Sequence, residues 1–281
     1  MRNNEERFGA PPQFQEPTPP QVLQQQGISL DFILPTDIVA LPSKGKFYPP
    51  SHPLHGKDSI ELKQMTAKEE DILTSRSLIK KGIVLDKLIE SIIVDKRIDP
   101  LSLTVEDRSA IIVSARIAAY GPEYSTSVTC PSCEKKVKYT FNLFEKLPKE
   151  DEEPQVAAEV DQSGLFCIVP PFSKWKIVCK AVNGYDEKTL VKINEVKKKS
   201  SNDSLFLDQL KAMVVSIEGV TEKSLIEKAI SSLPAGDTRF LRKEYLKVVP
   251  PVDMKQTFVC SNCEHEADME VPLSADFFWF K

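Results

Sequence analysis

Two Cys-x-x-Cys pairs are the residues of this sequence best suited to chemistry. One pair opens the stretch CPSCEKKVKYTFNL at Cys130, and the other opens CSNCEHEADMEVPL at Cys260. Four thiolates about 2.3 Å from a zinc ion form the closed tetrahedral shell of a structural site, and cysteines two residues apart reach one ion when the backbone turns tightly between them. The predicted ligands of one structural zinc ion are Cys130, Cys133, Cys260 and Cys263.

Several other uses of these cysteines compete with a shared metal site. A thioredoxin-like redox pair lies at a helix N-terminus, where the dipole lowers the thiol pKa, but both pairs here lead into the alternating patterns typical of strands. A disulfide within each pair requires an oxidising compartment. Four unrelated reduced thiols are the simplest alternative, although two coincident Cys-x-x-Cys units argue against it. His265 can also replace one thiol as a ligand.

A shell of four cysteines predicts a structural rather than a catalytic ion, because a catalytic zinc keeps an open position and usually recruits His or carboxylate ligands. The ion ties residues near 130 to residues near 260, so the helices between them become a closed insertion. Zinc knuckles often carry Gly after the second cysteine, whereas this chain has Glu134 and Glu264. Cys167 and Cys179 lie among apolar strand residues and are expected to be buried.

Strand–knuckle–strand units are expected around both pairs, since TSVTC and QTFVC precede them and alternating residues follow. The predicted fold class is α+β, a mainly helical body with a zinc-ribbon-like β element formed by the two distant knuckles. The predicted divisions are a disordered tail (1–27), a proline-rich arm or loop (28–57), a helical block (58–123), and the ribbon-like element (124–281). That element comprises 124–180 and 254–281 and contains a helical insertion at 181–253.

Capping residues and breakers define the expected helices. Thr66 and Glu69 form a capping box for one helix that ends at Gly82, and Thr104 caps another that stops at Gly121. The stretch SLFLDQLKAMVVSIEG is expected to be helical, and Asp237 is expected to cap the last helix. Two strands are predicted around the Pro-Pro turn of LFCIVPPFSKWKIVCKAV.

The net charge and the apolar runs of the chain argue against some classes of partner. The 281 residues carry a formal net charge of −4, which gives no electrostatic reason to expect nucleic acid or an anionic membrane as the main partner. No apolar run approaches the roughly 20 residues that span a bilayer, and the N-terminal stretch lacks the apolar centre of a signal peptide. A soluble protein made in a cytoplasm is therefore expected, where paired cysteines indicate metal or redox chemistry.

Catalytic motifs are absent from the sequence. It contains no Gly-rich phosphate loop, His-Glu-x-x-His or Gly-x-Ser-x-Gly pattern. His52 and His55 lie in the proline-rich loop, where a solvated position is favoured over metal binding. The prediction is a protein that is not an enzyme.

Several segments together resemble a known family. They are LPSKGKFYP at 41–49, QMTAKEEDIL, DPLSLTVEDRSAIIVSARIAAYGPEY, the first cysteine pair and the closing LSADFFWF. Over roughly residues 30–281 the chain resembles the baseplate hub proteins of T-even-type contractile-tailed phages. The resemblance implies a structural or assembly protein whose partners are other baseplate hub proteins. It places the protein in the host cytoplasm during assembly or in the virion tail baseplate.

Two aromatic groups are predicted to bind neighbouring subunits, since exposed aromatic residues often anchor interfaces. Packing onto the chain's own core is an equally supported alternative for both groups. Two other functions stay open: a zinc-ribbon module that binds nucleic acid, which needs a basic face, and a cytosolic thiol oxidoreductase. The candidate partner-binding residues are Phe47 and Tyr48 in the arm, and Phe277, Phe278, Trp279 and Phe280 at the C-terminal end.

Overall fold

The computed structural model describes residues 35–146, 158–198, 205–249, 251–252, 254–271 and 275–278. Within these ranges the chain has the predicted α+β composition, with helices interspersed among four small antiparallel sheets. In the described parts, every helix is too short or too polar to cross a bilayer. The tail predicted at 1–27 lies outside the described residues.

The first sheet joins the predicted arm to the predicted helical block. Strand β1 (Thr36–Ala40) pairs antiparallel with β2 (Ser59–Lys63), so the division expected between residues 57 and 58 falls inside a hairpin. The loop between the strands buries Leu41, Tyr48 and Leu54 in the same core as the helices that follow. The described part of the predicted arm, residues 35–57, therefore belongs to this body, because its apolar side chains fill the core.

A buried carboxylate fixes this loop. Asp107 is fully buried and accepts hydrogen bonds from the backbone N–H of Ser43 (3.0 Å), from its hydroxyl (2.6 Å) and from the hydroxyl of Tyr48 (2.5 Å). Burial raises the pKa of Asp107, although these donors favour its ionised form. The loop thus gains a polar anchor inside the core in addition to its apolar contacts.

Four helices complete the first body, and the single helix expected from Thr66 to Gly82 is divided into two of them. Thr66 and Glu69 form the predicted capping box at the start of the first helix. That helix ends early because Ser75 adopts an extended conformation, with ψ of 104°. Thr104 caps the last helix, and Gly121 follows it with a φ of 83°. The helices are α1 (Ala67–Thr74), α2 (Arg76–Lys80), α3 (Val84–Ile92) and α4 (Val105–Tyr120).

The second body contains a three-stranded sheet and four helices. Strand β6 (Ile177–Lys180) lies between β5 (Leu165–Ile168) and β7 (Val214–Ile217). The helix expected across 204–219 is wrong in its second half, because β-branched Val214, Val215 and Ile217 suit a strand, and β7 pairs with β6. The helices are α5 (Gly184–Lys198), α6 (Leu205–Met213), α7 (Lys223–Ser232) and α8 (Ala235–Val248).

Strands β5 and β6 belong to the second body rather than to the ribbon-like element in which they were expected. Phe166, Ile177 and Cys179 share a core with residues of α6 and α8, including Leu210 and Leu241. Strand β7 lies in the stretch predicted as the helical insertion, 181–253. It pairs with β6, which joins β5 and β6 to the helices of that stretch in one core.

Asp237 does not cap its own helix. Helix α8 has Pro234 at its N-cap and no side-chain capping bond. The fully buried carboxylate of Asp237 instead accepts the backbone N–H groups of Phe172 (3.0 Å) and Ser173 (2.7 Å). It therefore joins α8 to the loop between β5 and β6.

The C-terminal segment returns to the first body. A 3₁₀ turn, Ala275–Phe278, buries the rings of Phe277 and Phe278. Arg116 is also buried and donates from Nε to the Phe277 carbonyl at 3.1 Å, and from its terminal nitrogens to the carbonyls of Gly121 and Glu123. The guanidinium thus ties the 3₁₀ turn Ala275–Phe278 to α4.

Candidate metal centre

Each cysteine pair lies in the turn of an antiparallel hairpin. In the first, β3 (Glu123–Thr129) pairs with β4 (Lys136–Asn142). In the second, β8 (Lys255–Val259) pairs with β9 (Glu266–Glu270). These hairpins are the predicted strand–knuckle–strand units, and both satisfy the period-two pattern of apolar residues.

The two knuckles have the same hydrogen bonds. The N–H of Cys130 donates to the carbonyl of Lys135 at 3.0 Å, and the N–H of Glu134 donates to the carbonyl of Cys130 at 2.9 Å. The equivalent bonds, Cys260 to His265 and Glu264 to Cys260, have the same lengths. The two turns therefore share one backbone geometry.

Glutamates take the position that glycine often holds in such knuckles. Glu134 and Glu264 have φ values of 58° and 57°, in the left-handed region that favours glycine. The turn therefore forms without glycine after the second cysteine, and the left-handed backbone of each glutamate costs about 1–2 kcal/mol.

Folding brings the four thiols together. The Sγ atoms of Cys130 and Cys263 lie 3.7 Å apart, and those of Cys133 and Cys260 lie 3.8 Å apart. All four sulfurs lie within 4.8 Å of one another. Four sulfurs around a tetrahedral zinc ion at about 2.3 Å are separated by about 3.8 Å. The cluster therefore has dimensions that fit a metal ion with four thiolate ligands.

Side chains pack the two hairpins against each other beside the sulfurs. The ring of Tyr139 meets that of Phe258 edge to face, with centroids 5.0 Å apart, and its hydroxyl donates to the Thr257 carbonyl at 2.9 Å. Gln256 and Asn142 exchange two further hydrogen bonds across the junction. The sulfurs thus lie at one end of a packed contact between hairpins rather than on two independent loops.

Ionisation of the thiols is unequal. The N–H of Lys135 lowers the pKa of Cys133 to about 6, and the N–H of Asn262 lowers the pKa of Cys260. The N–H of His265 also favours the thiolate of Cys263, but desolvation and the other three thiols raise its pKa to about 12. Crowded thiolates repel one another, so a bound cation is what allows all four to ionise together.

Among the described residues, the group that can hold a metal ion consists of the four cysteines. His265 is exposed, and its backbone carbonyl accepts a hydrogen bond from the N–H of Cys260. Cys167, which was expected to be buried, is exposed because it points away from the core on β5, whereas Cys179 is buried. Burial raises the pKa of the Cys179 thiol to about 12.

A histidine and a serine also meet in the first body. His52 Nε2 lies 2.8 Å from Ser102 Oγ, and its Nδ1 accepts the N–H of Leu54. That backbone bond places the ring proton on Nε2, which donates to Ser102. Ser102 in turn donates to the carbonyl of Asp99 at 2.6 Å. Nε2 therefore cannot take the hydroxyl proton, and the pair is not an activated nucleophile.

The aromatic residues predicted to bind partners differ in exposure. Tyr48, Phe277 and Phe278 are buried in the first body, which agrees with core packing rather than docking, since each ring already has neighbours within the chain. Phe47 is partly buried and packs beside the second core. Trp279 and Phe280 lie outside the described residues.

The two most exposed aromatic rings of the described residues were not among the predicted partner-binding residues. Phe172 is 72% exposed and Phe144 is 66% exposed. Phe172 follows two prolines in a loop held by Asp237. The Pro-Pro-Phe sequence signalled a turn, but the direction of the ring depends on a distant carboxylate.

Comparison with known proteins places this architecture in a family. A family model described as T4 bacteriophage base plate protein matches residues 35–279. Searches among curated proteins and among solved structures found no match. The matched range includes both hairpins and all four clustered cysteines, and it covers most of the 281 residues. The chain belongs to the T4 bacteriophage base plate protein family.

Proposed function

We propose that this protein is a non-enzymatic structural or assembly component of the phage baseplate hub, and that it binds one structural zinc ion. The observation that carries the proposal is the convergence of four sulfurs from two distant hairpins, within a chain of the base plate family. Thiolate ligands select zinc among the common divalent ions of a cytoplasm. The ligands are Cys130, Cys133, Cys260 and Cys263.

In this proposal the protein acts by docking. The metal closes the chain between the two knuckles, so the insertion is anchored at both ends and the surface that meets other hub proteins is held rigid. Binding to another hub protein then loses less conformational entropy than binding by a flexible chain does. The C-terminal pair Trp279 and Phe280 stays our prediction for an anchor at that surface.

Cysteine substitution tests the metal and the docking together. Cys260→Ser is expected to abolish stoichiometric zinc, lower the melting temperature and reduce incorporation into hub complexes co-expressed with candidate baseplate proteins. Cys167→Ser is the matched control, because that exposed thiol lies outside the cluster. Zinc-free Cys260→Ser protein that is as stable as the wild type and incorporates equally would contradict the proposal.

A second set of variants tests the terminal anchor. Trp279→Ala with Phe280→Ala is expected to weaken hub incorporation at unchanged thermal stability. Phe277→Ala is the control for core packing and is expected to cost about 3–5 kcal/mol of stability, because its ring is fully buried. Full incorporation of the well-folded double variant would remove the terminal pair from the docking surface.

A further inference from the structure

The two metal-binding hairpins carry opposite charges on their exposed faces. Lys136 and Lys138 project from β4, whereas Glu266 and Asp268 project from β9, and all four are exposed. Their cross-strand neighbours carry no charge: the lysines oppose Thr129 and Ser127, and the acids oppose Val259 and Thr257. We call the first pair the basic face and the second pair the acidic face.

These faces occupy equivalent positions in the two hairpins. Lys136 opposes the residue before Cys130, and Glu266 opposes the residue before Cys260. The sulfur contacts show the same equivalence. The Sγ atom of Cys130 in the first hairpin lies 3.7 Å from that of Cys263 in the second, and the Sγ atom of Cys260 in the second lies 3.8 Å from that of Cys133 in the first. The ribbon thus has an approximate two-fold axis in its backbone and cysteines, and the charges break that symmetry.

Packing turns the two faces away from each other. Side chains alternate between the surfaces of a strand, and the intervening residues Val137, Tyr139 and Met269 pack in the small core around Phe258. Each hairpin therefore directs its inner face toward the other hairpin and its charged face outward. A single chain presents a basic surface on one side of the ribbon and an acidic surface on the other.

The four charges have no ion pair within the described ranges. Asp268 receives only a hydrogen bond from the Thr257 hydroxyl, at 3.5 Å. Farther along the second hairpin, Glu270 opposes Lys255, so the unbalanced charge of β9 lies at Glu266 and Asp268. Each face therefore keeps its full charge for another molecule.

We propose that the basic face of one copy docks on the acidic face of a second copy, giving a head-to-tail contact between identical chains. A two-fold contact that uses the same face twice brings like charges together, whereas a head-to-tail contact pairs Lys136 and Lys138 with Glu266 and Asp268. The contact rests on the metal-closed ribbon proposed above, which holds the two faces in fixed orientation. It goes beyond hub docking because it joins copies of this chain.

Charge reversal of each face tests the contact. Zinc-loaded full-length protein is analysed by sedimentation velocity over a concentration series at low and at high salt. Wild-type protein is expected to self-associate at low salt and to dissociate as salt screens the pairs. Lys136→Glu with Lys138→Glu, and separately Glu266→Lys with Asp268→Lys, are each expected to weaken self-association by about tenfold or more, since attraction becomes repulsion.

Two rescue experiments separate this contact from a general effect of charge. An equimolar mixture of the two double variants is expected to associate as alternating copies, because one is acidic on both faces and the other is basic on both. The quadruple variant, with the faces exchanged, is expected to self-associate like the wild type. Lys46→Glu with Lys57→Glu is a matched control on the first body and is expected to leave association unchanged.

The outcomes distinguish this proposal from the metal site. Circular dichroism and zinc content are measured for every variant, and both are expected to match the wild type. A wild-type chain that binds zinc but stays monomeric at every concentration and low salt overturns the head-to-tail contact and leaves the scaffold role intact. Failure of either rescue in folded, zinc-loaded protein also overturns it. A wild-type chain without zinc contradicts the proposed function instead.

Discussion

Glu264 lies in a backbone conformation that disfavours its side chain. Its φ of 57° is left-handed, so Glu264→Gly removes a steric cost and retains the bond from its N–H to the Cys260 carbonyl. Part of the gain is offset by the greater entropy of glycine in the unfolded chain. We expect the free energy of unfolding of the zinc-loaded protein to rise by about 1 kcal/mol in urea titrations.

Glu266→Gly is the control for this substitution, because residue 266 lies within β9 and not in the turn. Glycine inside a strand weakens it, so this variant is expected to lose stability. If Glu264→Gly also loses stability, then Glu264 contributes an interaction that offsets its left-handed conformation.

Glu106 makes the stability depend on pH. Burial raises its pKa from 4.5 to about 7, and its Oε2 atom has no hydrogen-bond partner among the described residues. The folded state therefore binds a proton that the unfolded state has lost, so this residue's contribution to stability decreases as pH rises from 4.5 to about 7. Glu106→Gln is expected to raise stability at pH 8 by about 2 kcal/mol relative to the wild type.

Urea unfolding at pH 5 and pH 8 checks this expectation through the difference between variant and wild type. Glu195→Gln, at an exposed position of α5, is the control and is expected to show the same pH dependence as the wild type. An equal effect of Glu106→Gln at both pH values would show that the carboxyl ionises normally in the folded protein.

Single residues differ in how much the sequence reveals about them. The cysteines were identified by their spacing, and Thr66 and Glu69 by a local capping pattern that the structure confirms. The prediction that Asp237 caps its helix is wrong, because an N-cap residue and a residue that accepts hydrogen bonds from a distant backbone can have the same local sequence. Its actual partners, Phe172 and Ser173, lie 65 and 64 positions away.

At the scale of elements, Asp237 is expected to hold the β5–β6 loop on α8. Asp237→Ala leaves two backbone N–H groups without their acceptor and is expected to cost about 2–3 kcal/mol. Asp161→Ala is a matched control, because Asp161 also accepts two backbone N–H groups but is exposed. Its cost is expected to be about 1 kcal/mol or less, since water replaces the lost acceptor. Equal losses in thermal unfolding would contradict the account of the buried anchor.

Strand β7 shows why some elements were not predicted. The run LKAMVVSIEG follows a helical pattern, and its apolar residues suit a buried helix as well as a buried strand. Pairing with β6 decides between them, and that pairing depends on the return of the chain after α5 and α6. The hairpins that carry the cysteines were predictable because turn, alternation and cysteine spacing all lie within about twenty residues in each of them.

At the scale of the whole molecule, the cysteine cluster and the C-terminal 3₁₀ turn both bring a late part of the chain back to an earlier part. The knuckles join positions 127 apart, and the bond from Arg116 to the Phe277 carbonyl spans 161 positions. The sequence predicted that the two cysteine pairs come together, because residues that share a metal ion have a recognisable spacing. The sequence did not predict the bond of Arg116, because a buried arginine that binds backbone carbonyls resembles any other helical arginine.

The central claim is that one metal ion joins the two knuckles through four sulfurs. Zinc X-ray absorption on the purified full-length protein, combined with metal analysis, tests it most directly. We expect one zinc per chain with four sulfur neighbours at about 2.3 Å. A shell containing nitrogen or oxygen ligands, or a folded protein that retains no zinc while its four thiols react freely, would contradict the account.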